Sequence, residues 1–262
     1  MAHLSLWLLG SFRVELGGMP VTGFATDKAQ ALLAYLSVES DRPHLRSALA
    51  SLLWPGRPQQ KALRSLRQAL YQVREVIGDR DAADASTAAV TGGPSLLVTR
   101  QTIQFNVESD HWLDVTAFTS LAAACRRHRH RSRDTCLPCL DCMEKMVALY
   151  RGEFLEHFTV DDSPLFEEWV TLRREWLHRE TTEALIQLTN HHERRGETEA
   201  ARRYGRRQLE MEPWREETHR QLMRLLARDG QRSAALAQYR SCHRALADEL
   251  GVEPTQETTR LY

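Results

Sequence analysis

Four residues near the middle of the chain have the types and spacing of a metal site: Cys125-x-x-His128, then Cys136-x-x-Cys139. Thiolates and imidazole suit zinc, and each spacing can aim two donors at one ion. Four protein donors leave no open coordination position, so such a site would be structural. His130 can stand in for His128, and Cys142 for Cys125. Free buried thiols are the other reading of these residues, because short Cys-x-x-Cys spacings also recur without metal. The arginines between Arg126 and Arg133 would lower thiolate pKa but repel the ion; the run reads as a solvated loop or an auxiliary phosphate contact. No strand precedes Cys136 as a thioredoxin-like redox site would need, and Cys242 reads as a small core residue.

A second set of residues has the chemistry of nucleic-acid recognition. The charge of the whole chain balances at 35 basic against 35 acidic residues, yet no Asp or Glu occurs between Asp41 and Glu75. That window holds seven cations: Arg42, Arg46, Arg57, Lys61, Arg64, Arg67 and Arg74. Within it Leu63, Leu66, Leu70, Val73 and Ile77 recur at steps of three and four, which predicts an amphipathic helix over Gln59 to Ile77. Pro58 and Gly78 are its start and stop signals. Its other faces carry Lys61, Arg64, Ser65, Arg67, Gln68, Tyr71 and Gln72. Arg and Gln can pair with base edges in the major groove, whereas Lys, Ser and Tyr suit phosphates.

The flanking elements are those that would hold such a helix against DNA. Leu6 to Leu16 reads as two short strands about a Gly10-Ser11 turn, with a hairpin signal at Gly17-Gly18. Asp27 to Ser37 and Arg46 to Leu53 read as two helices, the second stopped by Trp54-Pro55-Gly56. After the basic helix, Ser95–Thr99 and Thr102–Phe105 read as two strands about an Arg100-Gln101 turn. This order is that of a winged helix-turn-helix, with the third helix in the major groove and Arg100 at the wing tip.

From Pro164 onward helical patterns dominate: a stretch to Gly196, then Glu197–Glu210, Arg215–Arg228 and Gln231–Leu250. Gly196 with Ala200-Ala201 recurs as Gly230 with Ala234-Ala235, an offset of 34, the period of tetratricopeptide (TPR) helix pairs. Glu212-Pro213 and Glu253-Pro254 are offset by 41, so the repeat is imperfect. The expected fold class is mostly α with small β: a winged helix-turn-helix domain over 1–110, a connecting helix with the Cys/His insert over 111–162, and a TPR-like helical-hairpin domain over 163–262. The start of another helix after Thr255 suggests the front of a longer protein.

Other classes lack their signatures. There is no Gly-x-x-x-x-Gly-Lys-Ser/Thr loop, no Gly-x-Ser-x-Gly elbow, no Gly-x-Gly-x-x-Gly, and no second His at metalloprotease spacing from His192-Glu193. No enzyme is expected. An odd five cysteines, no apolar run of membrane-spanning length and no secretory pattern point to the cytoplasm.

Leu8-Leu9-Gly10-Ser11-Phe12-Arg13-Val14, Leu52-Leu53-Trp54-Pro55 and Leu63-Arg64-Ser65-Leu66-Arg67-Gln68-Ala69-Leu70 resemble the DNA-binding domain of the antibiotic-regulatory-protein (SARP) type of transcriptional activator. Gly56 departs from the Asp that often follows the Trp-Pro pair there. Leu149-Tyr150-Arg151-Gly152-Glu153-Phe154-Leu155, Glu167-Glu168-Trp169, Glu212-Pro213-Trp214-Arg215-Glu216-Glu217 and Leu250-Gly251-Val252-Glu253-Pro254 resemble the partner domain of that family, the bacterial transcriptional activator domain (BTAD). The resemblance implies binding to double-stranded DNA at tandem direct repeats, with self-association there, and recruitment of RNA polymerase. The alternative is a TPR-like interaction or sensory module at the front of a larger signalling ATPase, with weak or no DNA binding.

Overall fold

The computed structural model describes residues 3–79, 93–128 and 136–262. The chain forms two compact units that interleave in sequence: Met1–Ser120 with Leu149–Leu177, and Leu121–Ala148 with His178–Tyr262. The boundaries expected after residues 110 and 162 therefore differ from the packing, and the physical reason lies in what Leu149–Leu177 covers.

In the first unit, β1 (Leu4–Trp7) pairs antiparallel with β2 (Arg13–Leu16), from Leu4↔Leu16 to Trp7↔Arg13. Gly17 and Gly18 take φ of 59° and 80°, a region open to glycine, and turn the chain into β3 (Met19–Pro20). Helix α1 (Asp27–Val38) starts at Thr26, whose hydroxyl accepts from the Ala29 N–H at 3.3 Å. A two-residue strand, β4 (His44–Leu45), leads into α2 (Arg46–Leu53), and Pro58 then opens α3 (Gln59–Val76) with φ already fixed. The hairpin β5 (Leu96–Val98) and β6 (Thr102–Phe105) follows, with β4 on the other edge of β6. A last strand, β7 (His111–Leu113), pairs parallel with β1.

The core of this unit comes from the inner faces of the three helices and the wing, among them Leu32, Leu36, Leu49, Leu53, Leu66 and Phe105. Two buried carboxylates join elements far apart in sequence. Asp79, after α3, accepts from the backbone N–H groups of Ser95 and Leu96 at 2.8 Å each. Asp114 accepts from Leu8 and Leu9 at 2.9 Å and from Val115 at 2.8 Å. Burial raises both carboxyls above their ordinary value, and the N–H donors offset only part of that rise.

The segment Leu149–Leu177 completes this unit. The Leu155 N–H donates to the Leu8 carbonyl at 2.8 Å, and the Gly10 N–H to the Glu153 carbonyl at 2.9 Å. Arg174 braces the carbonyls of Phe154 and Leu155 at 2.7 Å. Trp169 donates to Glu39 at 2.7 Å, and Arg173 pairs with the same carboxylate. Phe154 and Phe166 are fully buried. Without this segment, backbone groups of Leu8 and Gly10 would lose their partners.

In the second unit, the end of α4 (Asp114–Arg127) meets α5 (Leu137–Leu149), the later turns of α6 (Pro164–Arg194), α7 (Thr198–Met211), α8 (Glu216–Arg228), α9 (Arg232–Leu250) and α10 (Gln256–Leu261). The single expected connecting helix is thus two. Gly196 and Gly230, at φ of 73° and 74°, turn the chain after α6 and α8. Gly205 lets α7 approach α8: a Cβ there would meet Leu222 Cδ2 at 2.9 Å. A buried chain of hydrogen bonds crosses three helices, with Gln208 donating to the Thr189 hydroxyl at 2.7 Å and accepting from Thr218 at 2.8 Å. Among the described residues no helix is long and apolar enough to cross a membrane.

Candidate nucleic-acid interface

Helix α3 buries Ala62, Leu66, Ala69, Leu70 and Val73. Of the expected stripe, Leu63 is the exception: it is half-buried and lines a cleft beside the wing, with Ala62 taking the inner position. Lys61, Arg64, Arg67, Gln68 and Tyr71 are exposed. At about 100° per residue, Arg64 and Tyr71 lie at the middle of the exposed face, Lys61 and Gln68 toward one edge, and Arg67 toward the other. Clefts border both edges.

The wing-side cleft is lined by Leu45, Arg46, Ser47, Leu63, Arg67, Arg100 and Gln101. Arg46 Nε donates to the Thr99 carbonyl at 3.1 Å, and its backbone N–H donates to the Gln101 carbonyl at 2.9 Å, so α2 holds the wing turn. Within the turn the Thr99 hydroxyl accepts from the Thr102 N–H at 2.9 Å. Burial, then the charge of Arg67, lowers the pKa of Arg46. Arg100 stands exposed at the tip.

The opposite cleft is lined by Thr26, Lys28, Trp54, Arg57, Ser65, Gln68, Ala69 and Gln72. Arg57 donates to the Ser65 hydroxyl at 3.0 Å, and Thr26 donates to the Gln72 side chain at 3.3 Å. Ser65 and Gln72 are therefore engaged within the protein, while Arg57 keeps further donors for an anion. Lys28 precedes the acid-free window, and only the packing of α1 beside α3 brings it here. It lies 5.6 Å from the Trp54 ring centroid. Burial, then the cation of Arg57, lowers its pKa. An exposed edge of hydrogen-bonding side chains, flanked on both sides by cations, can meet base edges and the two phosphate strands beside them.

The Cys/His residues lie in the second unit. His128 Nδ1 is 3.2 Å from Cys136 Sγ and 3.3 Å from Cys139 Sγ. These three donors lie within 4.8 Å of one another. Cys125 is buried, with Sγ 3.6 Å from the Cys139 carbonyl and its thiol interacting with those of Cys139 and Cys142. Burial first, then these neighbouring sulfurs, pushes Cys125 up to about 12. His130 lies outside the described residues. Cys242 is buried in α9.

A wing, a cation-flanked third helix and stacked helical hairpins define a winged helix-turn-helix with a helical-hairpin domain. Residues 113–262 match the bacterial transcriptional activator domain, and the chain belongs to that family. It is 26% identical over 247 residues to the regulatory protein AfsR of Streptomyces griseus, an alignment that spans 93% of this chain and 23% of that protein. It also resembles, over its whole length, the solved structure of Mycobacterium tuberculosis EmbR in complex with a low affinity phosphopeptide, at a TM-score of 0.64 and 21% identity. It covers 64% of that chain, and the likeness is one of fold.

Proposed function

We propose that the chain is a sequence-specific DNA-binding activator that reads tandem direct repeats near promoters and contacts RNA polymerase. The observation that carries the reading is the outer face of α3. Arg64, Gln68 and Tyr71 stand exposed on it, between one cleft with Lys28 and Arg57 and another with Arg46, Arg67 and Arg100. In this reading Arg64 and Gln68 contact base edges, and Lys61, Arg67, Arg57, Lys28 and Arg100 neutralise phosphates. Tyr71 packs on the sugar-phosphate backbone, and Arg46 holds the wing. Ser65 and Gln72 orient their neighbours. Membership in the activator family supports activation as the output, and two copies side by side on a direct repeat would supply the avidity one α3 lacks.

The test is a selection of genomic fragments on the purified chain at physiological salt, beside an Arg64→Ala, Arg67→Ala double variant. A spaced direct repeat, enriched by the parent and lost by the variant, is the expected result. Equal sequence-blind retention by both, or retention by neither, would overturn it in favour of a protein-interaction module.

A further inference from the structure

Cys125 and His128 lie three residues apart at the C-terminal end of α4, and Cys136 and Cys139 lie three apart where α5 begins. Residues at that spacing share a helix face, so each pair presents two donors on one side. The faces converge. His128 Nδ1 stands 3.2 Å from the Cys136 sulfur and 3.3 Å from the Cys139 sulfur. A single imidazole nitrogen has one lone pair or one proton, which cannot serve two thiols equally. A shared cation can satisfy all three. Around a tetrahedral zinc with ordinary bond lengths, neighbouring N and S ligands lie roughly 3.5 Å apart and S and S roughly 3.8 Å apart. The observed cluster falls close to that, with every donor within 4.8 Å of the others.

We infer that Cys125, His128, Cys136 and Cys139 bind one zinc ion that staples the end of α4 to the start of α5. Cys125 is the fourth ligand because it shares the face of His128 and already reaches Cys139, with its sulfur 3.6 Å from the Cys139 carbonyl. Cys125 and Cys142 both stand outside the three convergent donors, and Cys142 lies one turn further along α5 than Cys139. Three thiolates and one imidazole close the coordination sphere, so the ion is structural and activates no water. It borders the core of its unit, where Cys125 and Cys139 pack with Leu140, Met143, Leu185 and Leu188. Binding therefore adds to the stability of these helices.

The test is the metal content of the full chain, purified under reducing conditions without chelator, beside Cys136→Ser, Cys125→Ser, Cys142→Ser and Cys242→Ser. About one zinc per chain is expected in the parent and in the Cys142 and Cys242 variants. The Cys136 and Cys125 variants should bind at least ~10-fold more weakly, since even outer-shell changes cost that much. Because a variant can fail by misfolding, the parent is also loaded with cobalt(II), whose tetrahedral thiolate complex absorbs in the visible, and each variant is checked by far-ultraviolet circular dichroism. A metal-free parent without the cobalt bands overturns the site, as does a Cys136–Cys139 disulfide in the reduced preparation or full zinc retention by Cys136→Ser. Zinc lost with Cys142→Ser but kept with Cys125→Ser overturns the fourth ligand.

Discussion

At the scale of single residues, the proposed interface assigns some side chains of α3 to specify a sequence and others to attract any duplex. Arg64 and Gln68 are exposed and carry paired donors or a donor and acceptor, so they can tell one base from another. Lys61 is a flexible point charge near the edge of that face. Arg64→Ala or Gln68→Ala should therefore cost ~1–3 kcal/mol on the preferred site and relax selectivity at one base position. Lys61→Ala should weaken all sequences alike and make the salt dependence shallower by about one unit of slope. Titrations against the selected and a scrambled duplex at several salt concentrations separate the two; a uniform loss with every variant would remove Arg64 and Gln68 as base readers. Both proposed roles were readable from residue type and helical spacing. The sequence could not show that Ser65 is engaged by Arg57 and Gln72 by Thr26. Those are contacts across elements.

At the scale of elements, the helical hairpins are held by polar side chains that a hydrophobic pattern does not reveal. His219 of α8 is 3% exposed and uses both ring nitrogens. With Nε2 protonated, it donates to the Pro213 carbonyl at 2.9 Å, and Nδ1 accepts from Gln238 of α9 at 2.7 Å. Protonating Nδ1 would set two donors face to face, and burial already lowers this histidine below its ordinary value. Its folded form thus resists a proton that the unfolded chain accepts near pH 6.5. The stability tied to neutral His219 is present above about pH 6.5 and is lost as pH falls through the lower folded value. Urea midpoints measured from pH 7.5 to pH 5 should fall, and His219→Gln should flatten that fall. An unchanged pH slope in the variant would sink the assignment. Glu212 and Glu216, whose pKa values hydrogen bonds to their neighbours hold down, titrate below this window.

At the scale of the whole molecule, the family motifs and the compact units divide the chain differently. Residues 113–262 match the family, yet Leu149–Leu177 packs with the winged helix. Asp114, Phe154, Leu155 and Trp169 supply partners that the first 110 residues lack. A fragment ending at residue 110 leaves the Leu8 and Leu9 amides without the Asp114 carboxylate and uncovers apolar surface. It should melt without a sharp cooperative transition and bind a hydrophobic dye, whereas the intact chain melts cooperatively. A fragment as cooperative as the intact chain would show that the linear boundary is also the structural one.

Local chemistry, written in the order of residues, determined much of this protein. The helices α1, α2 and α3, the wing hairpin, the long α6 and the Gly-ended hairpins follow from periodicity, capping and turn residues, whose reach is a few positions. The exposed face of α3 and the paired donors of the Cys/His cluster were legible for the same reason. Tertiary structure alone decided what depends on meetings between distant residues. The two-residue β4, too short to carry a pattern, exists because β6 offers it an edge, and β7 pairs parallel with β1 from the far end of the unit. Lys28 joins the interface only because α1 packs beside α3. The return of Leu149–Leu177 to the first unit follows from backbone groups at Leu8 and Gly10 that need partners. Hydrogen-bond satisfaction in a buried interior acts at any sequence separation, and a linear reading has no register in which to find it.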